Sequence, residues 1–145
     1  MQVINSNVVI DPDLEDEKGF NIDLGLRGMA WGVLEYDLSV FYLNYSNRIG
    51  YLLKYYNEST APTPGLEWTT YRLSTNIGDS KTVGIESYVS WNVFKSFTDI
   101  ETQALNFFLN TSFQKGTYVR SDEPSILENR VEYNPNMNLK FGIQY

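Results

Sequence analysis

The chain has 145 residues, 42 % hydrophobic and 15 % aromatic, and a formal net charge of −7. It has neither Cys nor His, so disulfides and thiolate metal sites are excluded, and the commonest general base and transition-metal ligand are missing. The acidic balance excludes sequence-independent binding to nucleic acid, which needs a basic surface.

From the N-terminus, Met1–Ile10 has no basic region and no long apolar run, so it does not read as a signal peptide. Asp11, Asp13, Glu15, Asp16 and Glu17 follow as an acidic run. Their oxygens suit Ca²⁺, but the run lacks the spaced Gly and terminal Glu of an EF-hand loop, so a solvated loop is expected. No apolar stretch approaches the roughly 20 residues of a membrane helix. A membrane strand needs only about 9–11 residues of alternating polarity, which hydropathy averages miss.

A period of two begins at Phe20. Phe20, Ile22, Leu24 and Leu26 alternate with Asn21, Asp23, Gly25 and Arg27, which predicts a half-buried strand. Leu34, Tyr36, Leu38, Val40 and Tyr42 repeat the pattern around Glu35, Asp37 and Ser39. Val83, Ile85, Val89 and Trp91 form a third row, opposed by Thr82, Gly84, Glu86 and Ser90. Leu105, Phe107, Leu109 and Phe113 oppose Asn106, Asn110, Ser112 and Gln114. Met137, Leu139, Phe141, Ile143 and Tyr145 oppose Asn138, Lys140, Gly142 and Gln144. Five strands are expected. Phe41, Leu43, Tyr45, Tyr88 and Phe108 fall on the nominally polar faces. The stretch Glu101–Leu109 also fits helical spacing, but Phe107 and the Asn106/Asn110 pair fit a strand better.

The connections are unequal. Gly28–Val33 and Val93–Asp99 are short. Asn47–Thr70 and Gly116–Arg130 are long, polar and broken by Pro62, Pro64, Gly65, Gly116 and Pro124. Short turns at one end and long loops at the other mark outer-membrane barrels. Trp31, Trp91, Phe94 and Phe97 flank the short turns, while Tyr45, Tyr51, Tyr71, Tyr118 and Tyr133 lie toward the long loops, as two interfacial girdles would require.

Four segments resemble the TonB-dependent outer-membrane receptor family, ferric dicitrate receptors in particular. Pro12, Leu14, Glu17, Asp23-Leu24-Gly25 and Gly28 are similar to the family's approach to a barrel strand, with Asp23 where Glu is usual. Leu38–Gly50 is similar to an aromatic strand ending in Asn-Arg-Ile. Asn76-Ile-Gly-Asp-Ser-Lys-Thr-Val-Gly-Ile-Glu86 is the most specific, and marks Asn76, Gly78, Asp79, Gly84 and Glu86 as structural motif residues. Val131–Tyr145, with Pro135 ahead of the alternating row, is similar to a later strand of the same barrels.

The resemblance implies an all-β, antiparallel, up-and-down transmembrane β-barrel segment in the bacterial outer membrane. It implies residues 1–145 as a partial barrel from which the plug domain is absent. Five strands cannot close alone in lipid, so the rest of the barrel, the plug, the TonB complex and lipid are the expected partners. The implied activity is import of a ferric chelate, a siderophore or iron citrate, as transported substrate, with no cofactor and no enzymatic step.

Arg48, Lys54, Arg72 and Arg120 lie near loop ends and suit an anionic chelate; Tyr55, Tyr56 and Trp68 suit packing against one. Asp37 and Glu86 also fit the carboxylate pair of a glycosidase, though no acid–base context surrounds them. The sequons at Asn44, Asn57 and Asn110 are those chance places in an Asn-rich chain. The alternative to a transporter barrel is a soluble all-β ligand-binding module, a sandwich or calyx, which would have to bury the apolar face that a barrel turns to lipid. A structural outer-membrane protein without transport is a third reading.

Overall fold

The structure is a computed structural model that describes residues 3–5, 7–55, 70–98 and 104–145, with side chains from residue 7 onward. Seven strands form one sheet: β1 (Val3–Asn5), β2 (Val8–Ile10), β3 (Lys18–Ala30), β4 (Leu34–Tyr55), β5 (Thr70–Asn92), β6 (Asn106–Arg120) and β7 (Met137–Gln144). A short helix, α1 (Val93–Phe97), follows β5. The order is β1-β2-β5-β4-β3, with β6 between β5 and β7. Among the described strands, β3 pairs only with β4 and β7 only with β6, so the sheet is open.

All five expected strands are present, and of the two readings of Glu101–Leu109 the preferred one holds: from Asn106 onward it is strand, in antiparallel register with β7 from Asn106↔Gln144 to Phe113↔Met137. The long connections are shorter than expected. β4 runs on to Tyr55 and β6 to Arg120, so Asn47–Tyr55 and Gly116–Arg120 are ladder, not loop. The apolar row does not stop but changes phase: Leu34, Leu38 and Val40 lie on even positions and Ile49, Tyr51, Leu53 and Tyr55 on odd ones, with Asn47 at φ 55° between them, so the alternation counted from Leu34 loses it. Pro62, Pro64, Gly65 and Asn57 lie outside the described residues.

The turn after β3 is tight. Trp31 and Gly32 have φ of 52° and 66°, and the Val33 N–H donates to the Ala30 carbonyl. Two central residues at positive φ are the hairpin turn whose twist matches that of the strands. The Val93–Asp99 turn contains α1, started by Asn92, whose side chain accepts the Lys95 N–H at 3.0 Å.

The chain divides into two compact units. The first comprises Met1–Phe20, Asn44–Ser80 and Tyr118–Asn129. In it, β2 lies parallel to β5, from Val8↔Arg72 to Ile10↔Ser74, whereas β1 with β2 and β6 with β7 are antiparallel. Val9, Ile77 and Tyr118 are buried there. Gly50 makes room for Ile77: a Cβ on Gly50 would lie 2.5 Å from Ile77 Cδ1.

The second unit comprises Asn21–Leu43, Lys81–Thr117 and Arg130–Tyr145. Val131 is its one buried hydrophobic residue among those described. Ile22, Leu24, Leu26, Ile85, Phe141 and Ile143 are 57–79 % exposed in a continuous apolar row. At its turn end Trp91 and Phe97 pack edge to face at 6.2 Å, and Phe94 and Tyr145 at 6.3 Å. Two aromatic exceptions on the opposite face, Phe41 and Phe108, have glycine seats. Phe108 pairs with Gly142, where a Cβ would lie 2.5 Å from the ring, and Phe41 covers Gly84 in the same way.

Candidate functional site

The motif residues near the outer end of β5 form a polar hub in the first unit. Asn76 uses its side-chain amide like a strand rung. Its Oδ1 accepts the Glu15 N–H at 2.8 Å, and its Nδ2 donates to the Glu15 carbonyl at 2.9 Å and the Asn47 carbonyl at 2.7 Å. Asn47, at φ 55° within β4, turns its own groups toward the hub. Its N–H donates to Asp79 Oδ1 at 2.9 Å and its Nδ2 to Glu15 Oε2 at 2.6 Å.

Asp79 completes the hub with a two-point bond to Arg120, Nε–Oδ2 2.7 Å and Nη2–Oδ1 3.1 Å. Burial works against ionisation of Asp79, but the Asn47 N–H and the Arg120 guanidinium outweigh it and hold the carboxyl below its usual range. Gly78, at φ 141°, lets β5 pass against the Arg120 backbone; a Cβ there would lie 3.1 Å from the Arg120 carbonyl carbon. Ser121 Oγ then donates to the Ile77 carbonyl at 2.6 Å.

The acidic run is therefore a strap. Asp11 Oδ2 accepts from Thr75 Oγ1 at 2.6 Å, and its carboxyl is held below its usual range chiefly by that bond and secondly by the Asp13 N–H. Glu17 accepts the Ile49 N–H at 3.1 Å. No metal-binding cluster of three or more acidic groups occurs among the described residues. The carboxylates of Asp11, Glu15 and Glu17 each accept from a different donor on β4 or β5 instead of converging on one point.

Arg48 occupies a second cluster in the same unit. Its guanidinium lies 5.7 Å from the Tyr45 ring centroid and 5.6 Å from that of Tyr118. Nη1 approaches Ser80 Oγ at 3.5 Å, while Nε is buried without a hydrogen-bond partner among the described residues. Tyr118 and Ser80 are each 2 % exposed. Tyr118 thus belongs to a buried cluster and not to an exposed girdle. Tyr45 lies over Gly19, where a Cβ would be 2.6 Å from its ring.

In the second unit the polar row lines a concavity of about 630 Å³. Asp23, Arg27, Asp37, Glu86, Tyr88 and Asn110 line it. Three carboxylates and one guanidinium share this face, opposite the exposed apolar row. Asp37 and Glu86 are thus brought to one surface, together with a third acid and a cation.

Of the residues expected at substrate loops, Arg48 and Arg120 are built into the first unit. Arg72 is exposed on β5, where its N–H donates to the Asn7 carbonyl at 2.8 Å. Tyr55 ends β4, 75 % exposed. Lys54 pairs with Glu123 at 2.5 Å. Tyr56 and Trp68 lie outside the described residues. The roles of Asn47, Thr75, Ser80 and Glu15 escape sequence reading, because each acts on a partner 29–64 residues away. The positive φ of Asn47 has only the turn-prone Asn itself as a signal.

The family model described as TonB dependent receptor-like, beta-barrel matches residues 2–145. No curated protein and no solved structure matches the chain.

Proposed function

Because the chain belongs to the TonB-dependent receptor-like β-barrel family, whose members are outer-membrane transporters, we propose that it walls part of a receptor importing a ferric chelate. In this reading the plug, and the segment that meets TonB, belong to the rest of the receptor. The chain supplies barrel wall and the bases of substrate loops, and it carries out transport without catalysis.

The observation that carries the membrane part of the reading is the sorting of faces in the second unit. An unbroken row of exposed Ile, Leu and Phe side chains opposes a face bearing Asp23, Arg27, Asp37 and Glu86. In water such a row associates or aggregates; against acyl chains it is at rest, and the charges face a wet interior. A soluble calyx or sandwich would need a second apolar layer over Ile22, Leu24, Leu26 and Ile85, and no described residue supplies one.

The substrate class rests on Arg72, which is exposed near the start of β5 and suits an anionic carboxylate-rich chelate. The test uses the complete receptor in detergent, titrated with ferric dicitrate, with a neutral ferric hydroxamate and with citrate alone. The reading expects the anionic ferric complex to bind most tightly, and Arg72→Gln to raise its Kd by roughly tenfold or more, as loss of a charge-assisted hydrogen bond does. Failure of every ferric complex to bind, with uptake of some other nutrient, would overturn the iron assignment and leave the barrel assignment standing.

A further inference from the structure

On the apolar face of the second unit, a shallow groove of about 590 Å³ runs up to a group of cations. Val40, Val83, Ile85 and Phe113, each 48–57 % exposed, line it together with Lys115 and Arg130. Phe113 and Lys115 stand on one face of β6, since side chains alternate along a strand. By the same alternation Lys81, which is exposed, shares the face of β5 that carries Val83 and Ile85. Arg130 is fixed beside β6 by its bridge to Thr117 and by the Val131 N–H, which donates to the Gly116 carbonyl at 3.1 Å. Its guanidinium is aimed by the Asn134 carbonyl at 3.4 Å and Asn136 Oδ1 at 2.5 Å.

Lys115 and Arg130 therefore line an exposed apolar groove, and Lys81 stands on the same face of β5, two residues from the lining Val83. Neither ion pair seen among the described residues, Lys54–Glu123 or Arg120–Asp79, involves them. Like charges on neighbouring strands repel, and a cation facing lipid is costly except near the interface. An anion seated among the three relieves both penalties. The chemistry is that of a phosphate: a planar guanidinium for two-point bonding and two ammonium groups as point charges. The groove below suits a hydrocarbon chain.

We propose that this groove holds an acyl chain of a phosphorylated lipid whose phosphate is bound by Lys81, Lys115 and Arg130. The inference rests on the reading that the apolar face meets lipid. It adds a specific lipid site on the outside of the wall, unconnected with the transported substrate.

The test uses the complete receptor, with native mass spectrometry of lipid retained after extraction from phosphatidylcholine nanodiscs. The probes are phosphatidic acid, diacylglycerol with the same chains, and inorganic phosphate as competitor. Phosphatidic acid is expected to be retained over diacylglycerol and to resist millimolar phosphate. Each of Lys81→Gln, Lys115→Gln and Arg130→Gln should weaken retention by about fivefold, and the triple variant by roughly a hundredfold. Lys115→Arg should keep it. Equal retention of the two lipids, or by wild type and triple variant, overturns the site. Displacement by free phosphate overturns the acyl part. Heat-modifiable gel mobility reports barrel folding in each variant. A receptor that will not enter nanodiscs sinks the membrane reading itself, whereas one that enters without lipid preference sinks only this site.

Discussion

Gly84 and Phe41 meet across neighbouring strands so closely that residue 84 has no room for a side chain: a Cβ there would lie 2.5 Å from Phe41 Cε1 and 2.9 Å from the Phe113 carbonyl oxygen. The aromatic ring that breaks the polar row of β4 is thus laid over the glycine that the β5 motif supplies. Gly84→Ala is expected to destabilise the folded receptor by about 1–3 kcal/mol, the usual range for overpacking, read as a fall in urea midpoint. Phe41→Leu should recover part of that loss in the double variant, because the two residues share one volume. Strict additivity would show that the contact is not what constrains residue 84.

Asn76 ties the strap to the sheet through three hydrogen bonds. Asn76→Ala leaves the Glu15 N–H and two carbonyls without these partners. Each such bond is worth about 0.5–1.5 kcal/mol, so amide exchange over 11–17 should accelerate by one to several orders of magnitude. The β6–β7 pairing, in the other unit, should keep its protection. Unchanged exchange in the strap would mean that Asp11 and Glu17 suffice to hold it.

Acid should loosen the same region. Asp11 and Asp79 both have folded-state pKa values lowered from 3.8. A depressed carboxyl contributes stability that is fully present above its unfolded pKa and is lost as pH falls through the folded one. Strap protection should therefore hold from neutral pH down to about pH 4 and fall below it. Thr75→Val removes the largest cause for Asp11, so the Asp11 share of this stability should be missing at neutral pH, with a shallower loss in acid. An acid response identical to wild type would contradict the Asp11–Thr75 linkage.

The two faces of the second unit should respond oppositely to charge. Leu24, 73 % exposed in the apolar row, and Ser39, on the polar concavity, come from paired strands. Leu24→Arg should cost about 2–4 kcal/mol if the residue lies near the bilayer midplane. Ser39→Arg should cost little, since it faces water and three carboxylates. Refolding yield into lipid vesicles distinguishes them, and equal yields would refute the assignment of faces.

The five long strands and their faces are legible in the sequence because pleat alternation writes one polarity to each side, as Phe20–Leu26 and Met137–Ile143 show. The ends are not legible. Ser46–Tyr55 stays in strand with its own alternating row, Ile49, Tyr51, Leu53 and Tyr55, but the positive-φ Asn47 shifts that row by one residue against the Leu34–Tyr42 row, and β1 and β2 are three residues each. Helix α1 is five residues long, less than two turns, and leaves no readable period.

The sequence by itself determined the strand period, the apolar face, the absence of His and Cys chemistry and the motif Asn76–Glu86. These are properties of single residues or of neighbours along the chain. Only the tertiary structure decided that the acidic run is a strap, that Asp79 belongs to Arg120, that Arg48 lies between Tyr45 and Tyr118, and that Phe41 and Phe108 rest on glycines. Each of those is a contact between segments far apart in sequence, set by strand order and register, and alternation along one strand is blind to what stands on the next.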